Sequence, residues 1–122
     1  MNRIPILRLG RILLTSIQTD LTDDQAVGLQ GDLLAMLKEG KAAGIVLDIT
    51  GLDVVDSYVA RILNETTRMA RLIGGEVVLT GMQPMVALTL VEMGREIIGI
   101  DTAIDLEAGV ERLKAILDER DG

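Results

Sequence analysis

Apolar residues return at three- and four-residue spacing over two long stretches of the chain, and this spacing marks one face of a helix. In the first, Ala26, Leu29, Leu33, Met36 and Leu37 follow Thr22-Asp23-Asp24, residue types that start helices, and Gly40 stops the run. The second is expected from about Ser57 to Ile73, with Val59, Ile62, Leu63, Thr66, Met69, Ala70 and Ile73 on its inner face and Gly74-Gly75 closing it. A short helix is expected from Pro84 to Met93, with Pro84 at a helix start and Gly94 at its end. A C-terminal amphipathic helix is marked by Leu106, Val110, Leu113, Ile116 and Leu117, followed by a frayed tail over Asp118–Gly122.

Strand-length apolar runs alternate with these helices. Ile4–Leu9 and Arg11–Ile17, separated by Gly10, read as a tight antiparallel pair, with Pro5 suited to an edge because it donates nothing to a ladder. Gly44–Ile49 is almost continuously apolar, as a central strand covered on both faces must be. Glu76–Thr80 reads as a second buried strand and Ile97–Ile100 as a last short one. The order predicts a single α/β domain over residues 1–122, with a mixed β-sheet, an antiparallel N-terminal strand pair and about four helices. Gly28, Gly31, Gly94 and Gly99 read as packing and turn positions.

Composition narrows the chemistry. With 122 residues, 48% of them hydrophobic, the chain is one domain's length and has material for a core. It contains no Cys and no His, which removes disulfides, thiolate nucleophiles, the usual zinc ligand sets and His-based acid–base catalysis. A net charge of −7 opposes nucleic acid and anionic membranes, and Tyr58 is the only aromatic residue, so base-stacking platforms are missing too. No run of about 18 apolar residues exists to span a bilayer, so a cytoplasmic protein is expected.

No glycine pattern cradles a phosphate, since neither Gly-x-Gly-x-x-Gly nor Gly-Lys-Ser/Thr occurs. Asp48, Asp53 and Asp56 follow a central strand, where open α/β sheets place ligands, and could form a magnesium pocket. The lysines, Lys38, Lys41 and Lys114, do not follow a strand as a phosphoacceptor aspartate would require, and the expectation is no metal and no cofactor, with Asp53 and Asp56 as loop and cap residues. Of the two serines, Ser16 lies within a strand, whereas Ser57 lies at an accessible helix start. The ordinary role of such a serine is a cap. As a nucleophile it lacks a base, but as a phosphate acceptor it has a helix N-terminus in its favour and Asp53 and Asp56 against it.

The segment Leu52-Asp53-Val54-Val55-Asp56-Ser57-Tyr58-Val59, preceded by Gly44–Ile49 and followed by Gly81-Met82-Gln83-Pro84, resembles the STAS domain of bacterial anti-sigma factor antagonists, and the likeness extends over essentially the whole chain. Arg3–Leu7, Met82–Pro84 and Thr89–Glu92 further resemble the RsbS-type members of that family, the stressosome scaffold proteins. The resemblance implies a protein without catalysis of its own that binds a serine/threonine switch kinase of the GHKL-type ATPase class and releases it when phosphorylated on Ser57. It implies co-assembly with paralogous STAS proteins bearing sensory N-terminal domains into a large hetero-oligomer, and a phosphatase that resets the state. Thr89 falls where some paralogues carry a second acceptor, although a threonine in an apolar helix ordinarily bonds to its own backbone. The kinase-binding surface is expected at Asp53, Asp56, Ser57, Tyr58 and the Gly81, Met82, Gln83, Pro84 turn, with Tyr58 partly exposed. The alternatives are a simpler antagonist that binds an anti-sigma factor kinase without a scaffold, and a small acidic ligand-binding module.

Overall fold

A computed structural model describes residues 3–18, 21–93 and 101–122. Strands β1 (Ile6–Leu9), β2 (Ile12–Ser16), β3 (Gly44–Asp48), β4 (Glu76–Thr80) and β5 (Asp101–Ala103) form one sheet in the order β1-β2-β3-β4-β5. The first pair is antiparallel, as the sequence pattern predicts, and the other three are parallel, which makes the sheet mixed. Gly10, at φ +59°, makes the two-residue turn that pairs Leu9 with Ile12. Strand β1 begins after Pro5, whose carbonyl accepts a hydrogen bond from Thr15 Oγ1 at 2.8 Å. The expected strand over Ile97–Ile100 and the roles given to Gly94 and Gly99 lie outside the described residues.

The parallel strands follow one another without reversal, so right-handed crossovers place their helices on one face of the sheet. These are α1 (Asp23–Lys38), α2 (Ser57–Leu72) and α3 (Pro84–Glu92), which share a core with Leu13, Ile45, Leu47, Val77 and Leu79. The opposite strand positions, Ile12, Val46 and Val78, pack against Leu113 and Leu117 of α4 (Leu106–Asp121). Strand β3 is thus covered on both faces, which is why Gly44–Leu47 shows no polar alternation. Helix α1 opens on a capping box: the Gln25 N–H donates to Thr22 Oγ1 at 3.1 Å, and the Thr22 N–H donates to Gln25 Oε1 at 3.0 Å.

Three expectations are corrected. The tail is helical to Asp121, because Arg11 pairs with Asp121, and Arg120 donates to the Gly74 carbonyl at 2.7 Å and pairs with Glu76 at 3.6 Å. Hydrogen bonds from Arg11 and then Arg120 hold the Asp121 carboxyl below its ordinary range. Met69 and Ile73 of the expected inner face are 42% and 51% exposed, because Ala70 takes the central inward position in the last turn of α2 and leaves them on its margin. Gly28 and Gly31 are not packing positions, for a Cβ at either would meet nothing within 4 Å. Both lie inside α1, where glycine costs about 0.5–1 kcal/mol relative to alanine. Gly28→Ala and Gly31→Ala are each expected to stabilise the fold by that order, read as a higher urea midpoint at unchanged m-value.

Candidate phosphoacceptor loop

The loop between β3 and α2 is pinned from below and open above. Ile49, Leu52 and Val55 are buried, while Asp53, Val54, Asp56 and Ser57 are exposed. The Ile49 N–H donates to the Thr80 carbonyl at 2.9 Å, and the Leu52 N–H to the Ile49 carbonyl at 3.0 Å, so the backbone turns tightly over β4. At its end the capping role falls to Asp56, whose Oδ1 accepts from the Val59 N–H at 2.8 Å. Ser57 is therefore the first helical residue and not the cap, and its hydroxyl engages no other side chain or backbone group among the described residues. The neighbouring aspartate satisfies the helix end and leaves the serine oxygen free and accessible.

Beneath the loop lies a polar cluster that sequence reasoning missed. Asp48, at the end of β3, accepts hydrogen bonds at Oδ1 from Thr50 Oγ1 at 2.7 Å and Thr80 Oγ1 at 2.9 Å. Its Oδ2 lies 3.4 Å from Ser16 Oγ, which itself accepts from Gln18 Nε2 at 3.1 Å. The signal was the parallel register that sets Ser16, Asp48 and Thr80 side by side. Strand alternation turns Asp48, like Val46, toward α4, whereas Asp56 sits at the head of α2 on the other face. The three aspartates do not converge, and among the described residues no group of three His, Cys, Asp or Glu is placed to hold a metal.

The turn after β4 is joined to the same loop. Gln83, the residue before α3, donates from Nε2 to the Thr50 carbonyl at 2.7 Å. Gly81 has φ +73°, and a Cβ there would overlap Thr50 Oγ1 and approach Asp48 Oδ1 at 3.1 Å, so only glycine lets the turn lie so close. The expected docking residues thus belong to two segments in direct contact. Pro84, the last of them, is exposed, and beyond it Met85, Leu88 and Val91 form an exposed apolar stripe on α3. Thr89 donates to the Met85 carbonyl at 2.8 Å, the backbone bond expected of it. Tyr58 is half-buried, with the Arg61 guanidinium carbon 5.3 Å from its ring centroid. Arg61 Nε also lies 3.7 Å from Glu65.

Among curated proteins, the chain is 27% identical over 97 residues to the RsbT co-antagonist protein RsbRA of Bacillus subtilis, covering 80% of this chain and 35% of that one. The chain therefore spans about a third of that relative's length. Among solved structures, it superposes on a serine-to-glutamate variant of RsbS from Moorella thermoacetica with a TM-score of 0.84 and 37% identity, covering 94% of this chain and 97% of that chain. A chain from the molecular architecture of the stressosome, a signal integration and transduction hub, gives 0.81 and 39% identity over 93% of this chain and 98% of that one. The unphosphorylated anti-sigma factor antagonist SpoIIAA shares the fold at a TM-score of 0.68, with 12% identity. Residues 3–106 match the STAS domain family, to which this chain belongs.

Proposed function

We propose that the protein is a non-enzymatic scaffold subunit of a stressosome, which binds and sequesters a GHKL-type serine/threonine switch kinase and releases it when Ser57 is phosphorylated. The observation that carries this reading is the Ser57 hydroxyl, exposed and unengaged at the head of α2 because Asp56 provides the cap. The RsbS and stressosome structures similar to this chain support the scaffold role. In the transfer, Ser57 Oγ forms a bond to the γ-phosphorus of ATP as the bridging P–O bond to ADP breaks, and the hydroxyl proton passes to a base on the kinase. This chain, without His or Cys, supplies only the acceptor. A phosphatase reverses the step by hydrolysis.

The kinase docks on Asp53, Asp56, Ser57, Tyr58 and the Gly81–Pro84 turn, a surface supported by the Gln83 bond to Thr50 that joins its two segments. Paralogous STAS proteins with sensory N-terminal domains bind other faces in a cytoplasmic hetero-oligomer, so assembly survives changes at Ser57. No helix among the described residues is long and apolar enough to cross a membrane. Incubation with the cognate kinase and ATP, followed by mass spectrometric mapping, is expected to place one phosphate on Ser57. Phosphate on Ser16 or on a threonine, with Ser57 untouched, would refute the reading.

A further inference from the structure

We propose that Arg61 is an intramolecular clamp for a phosphate on Ser57, leaving the Tyr58 ring and Glu65 to take hold of it. The inference rests on Ser57 being the acceptor. Ser57 and Arg61 stand four residues apart on the exposed side of α2, with the acidic group N-terminal to the basic one, the favourable order for such pairs. Helical side chains lean toward the N-terminus, and Arg61 already does so: its guanidinium carbon lies 5.3 Å from the ring of Tyr58, the residue next to Ser57.

What holds Arg61 in the unmodified protein is weak. Its contact with Glu65 is long, at 3.7 Å, and the two side chains are 52% and 48% exposed, so water screens the pair. A phosphoserine offers about −1.5 to −2 charges and three acceptor oxygens, which a guanidinium fork matches in two parallel bonds. Asp56 is committed to the Val59 N–H and competes poorly for the same guanidinium. Once Arg61 turns to the phosphate, the face of Tyr58 and the Glu65 carboxylate are uncovered. Phosphorylation then alters the partner-facing surface at three further side chains without moving the backbone.

Arg68 provides a matched control. It is exposed two turns beyond Arg61 on the same stripe of α2, about 16 Å along the axis from Ser57, too far to reach a phosphate there. With phosphoserine installed co-translationally at position 57, its second ionisation is followed by phosphorus NMR in four proteins: the otherwise wild-type chain, Arg61→Gln, Arg61→Lys and Arg68→Gln. The charged groups of the surrounding segments, Asp53, Asp56 and Glu65, are common to all four. Arg61→Gln is expected to raise the titration midpoint by about 0.3 of a pH unit, Arg61→Lys to recover part of that, and Arg68→Gln to leave it unchanged. Near-ultraviolet circular dichroism reports Tyr58 alone, since the chain has one Tyr and no Trp or Phe, and is expected to change on Ser57 modification more in wild type than in Arg61→Gln. Equal displacement by Arg61→Gln and Arg68→Gln, or none by either, would overturn the clamp. Because the phosphate is installed without the kinase, that failure leaves the kinase reading standing, and the mapping experiment tests it separately.

Discussion

Ser57→Ala is expected to keep the kinase bound even with ATP present, and Ser57→Asp to bind it at least tenfold more weakly, a loss of about 1.4 kcal/mol or more. The first follows because alanine removes the acceptor oxygen while preserving a small neutral group at an exposed position. The second follows because a partner surface fitted to a neutral hydroxyl must desolvate a carboxylate that has Asp53 and Asp56 beside it. Neither change disturbs the fold: Asp56 supplies the cap, and a negative group in the first helical turn is favourable by about 0.3–1 kcal/mol. Isothermal titration of the kinase, with melting curves as the control, reads both effects. A tight-binding Ser57→Asp protein would count against electrostatic release.

Gly109→Val is expected to destabilise the domain by about 1–3 kcal/mol, the usual penalty for forcing extra volume into a packed core. Helix α4 lies over the sheet through Gly109, where an added Cβ would overlap Thr80 Cγ2 and come within 3.3 Å of Val46 Cγ1. Thr80 and Val46 are both fully buried, and Thr80 is tied to Asp48 by its hydroxyl, so neither can give way freely. The gain in helix propensity on replacing glycine, under about 1 kcal/mol, opposes the clash without cancelling it. The disturbance also enters the Asp48 cluster, which supports the loop before Ser57, through its Thr80 bond. Chemical denaturation measures the loss, and a midpoint equal to wild type would show that α4 can lift from the sheet at no cost. The contrast with Gly28 and Gly31, where alanine is expected to stabilise, separates close contact from helix propensity.

The two outcomes for glycine show where one-dimensional reading stops. Periodicity located α1 and α2 because a long amphipathic stripe repeats often enough to be read, and β3 because burial on both faces suppresses polar alternation. Gly109 looks no different in sequence from Gly28, since the neighbours that distinguish them come from β3 and β4. Strand β5, Asp101–Ala103, has three residues and no apolar alternation, and its pairing with β4 defines it instead. The helical tail past Leu117 depends on Arg11 and Gly74, distant in sequence. At the candidate loop, the two good capping residues were visible, but their division of labour was not. Asp56 takes the helix end and Ser57 is left free only because the backbone becomes helical at Ser57, a one-residue boundary that local propensity does not resolve. Asp48 was visible as an acidic residue after a strand, while its hydroxyl partners Ser16 and Thr80 required the sheet register.

Release of the kinase by charge, through a phosphate on Ser57 of a domain that keeps its fold, is the expected event. Its most direct measure is the affinity of the cognate kinase for the wild-type protein, unmodified and stoichiometrically phosphorylated on Ser57, at low and high salt. Binding is expected to be at least tenfold weaker for the phosphorylated form, with the gap widest at low salt where screening is weakest, and the melting temperature the same for both forms to within a few degrees. Equal affinity of the two forms at low salt would contradict it.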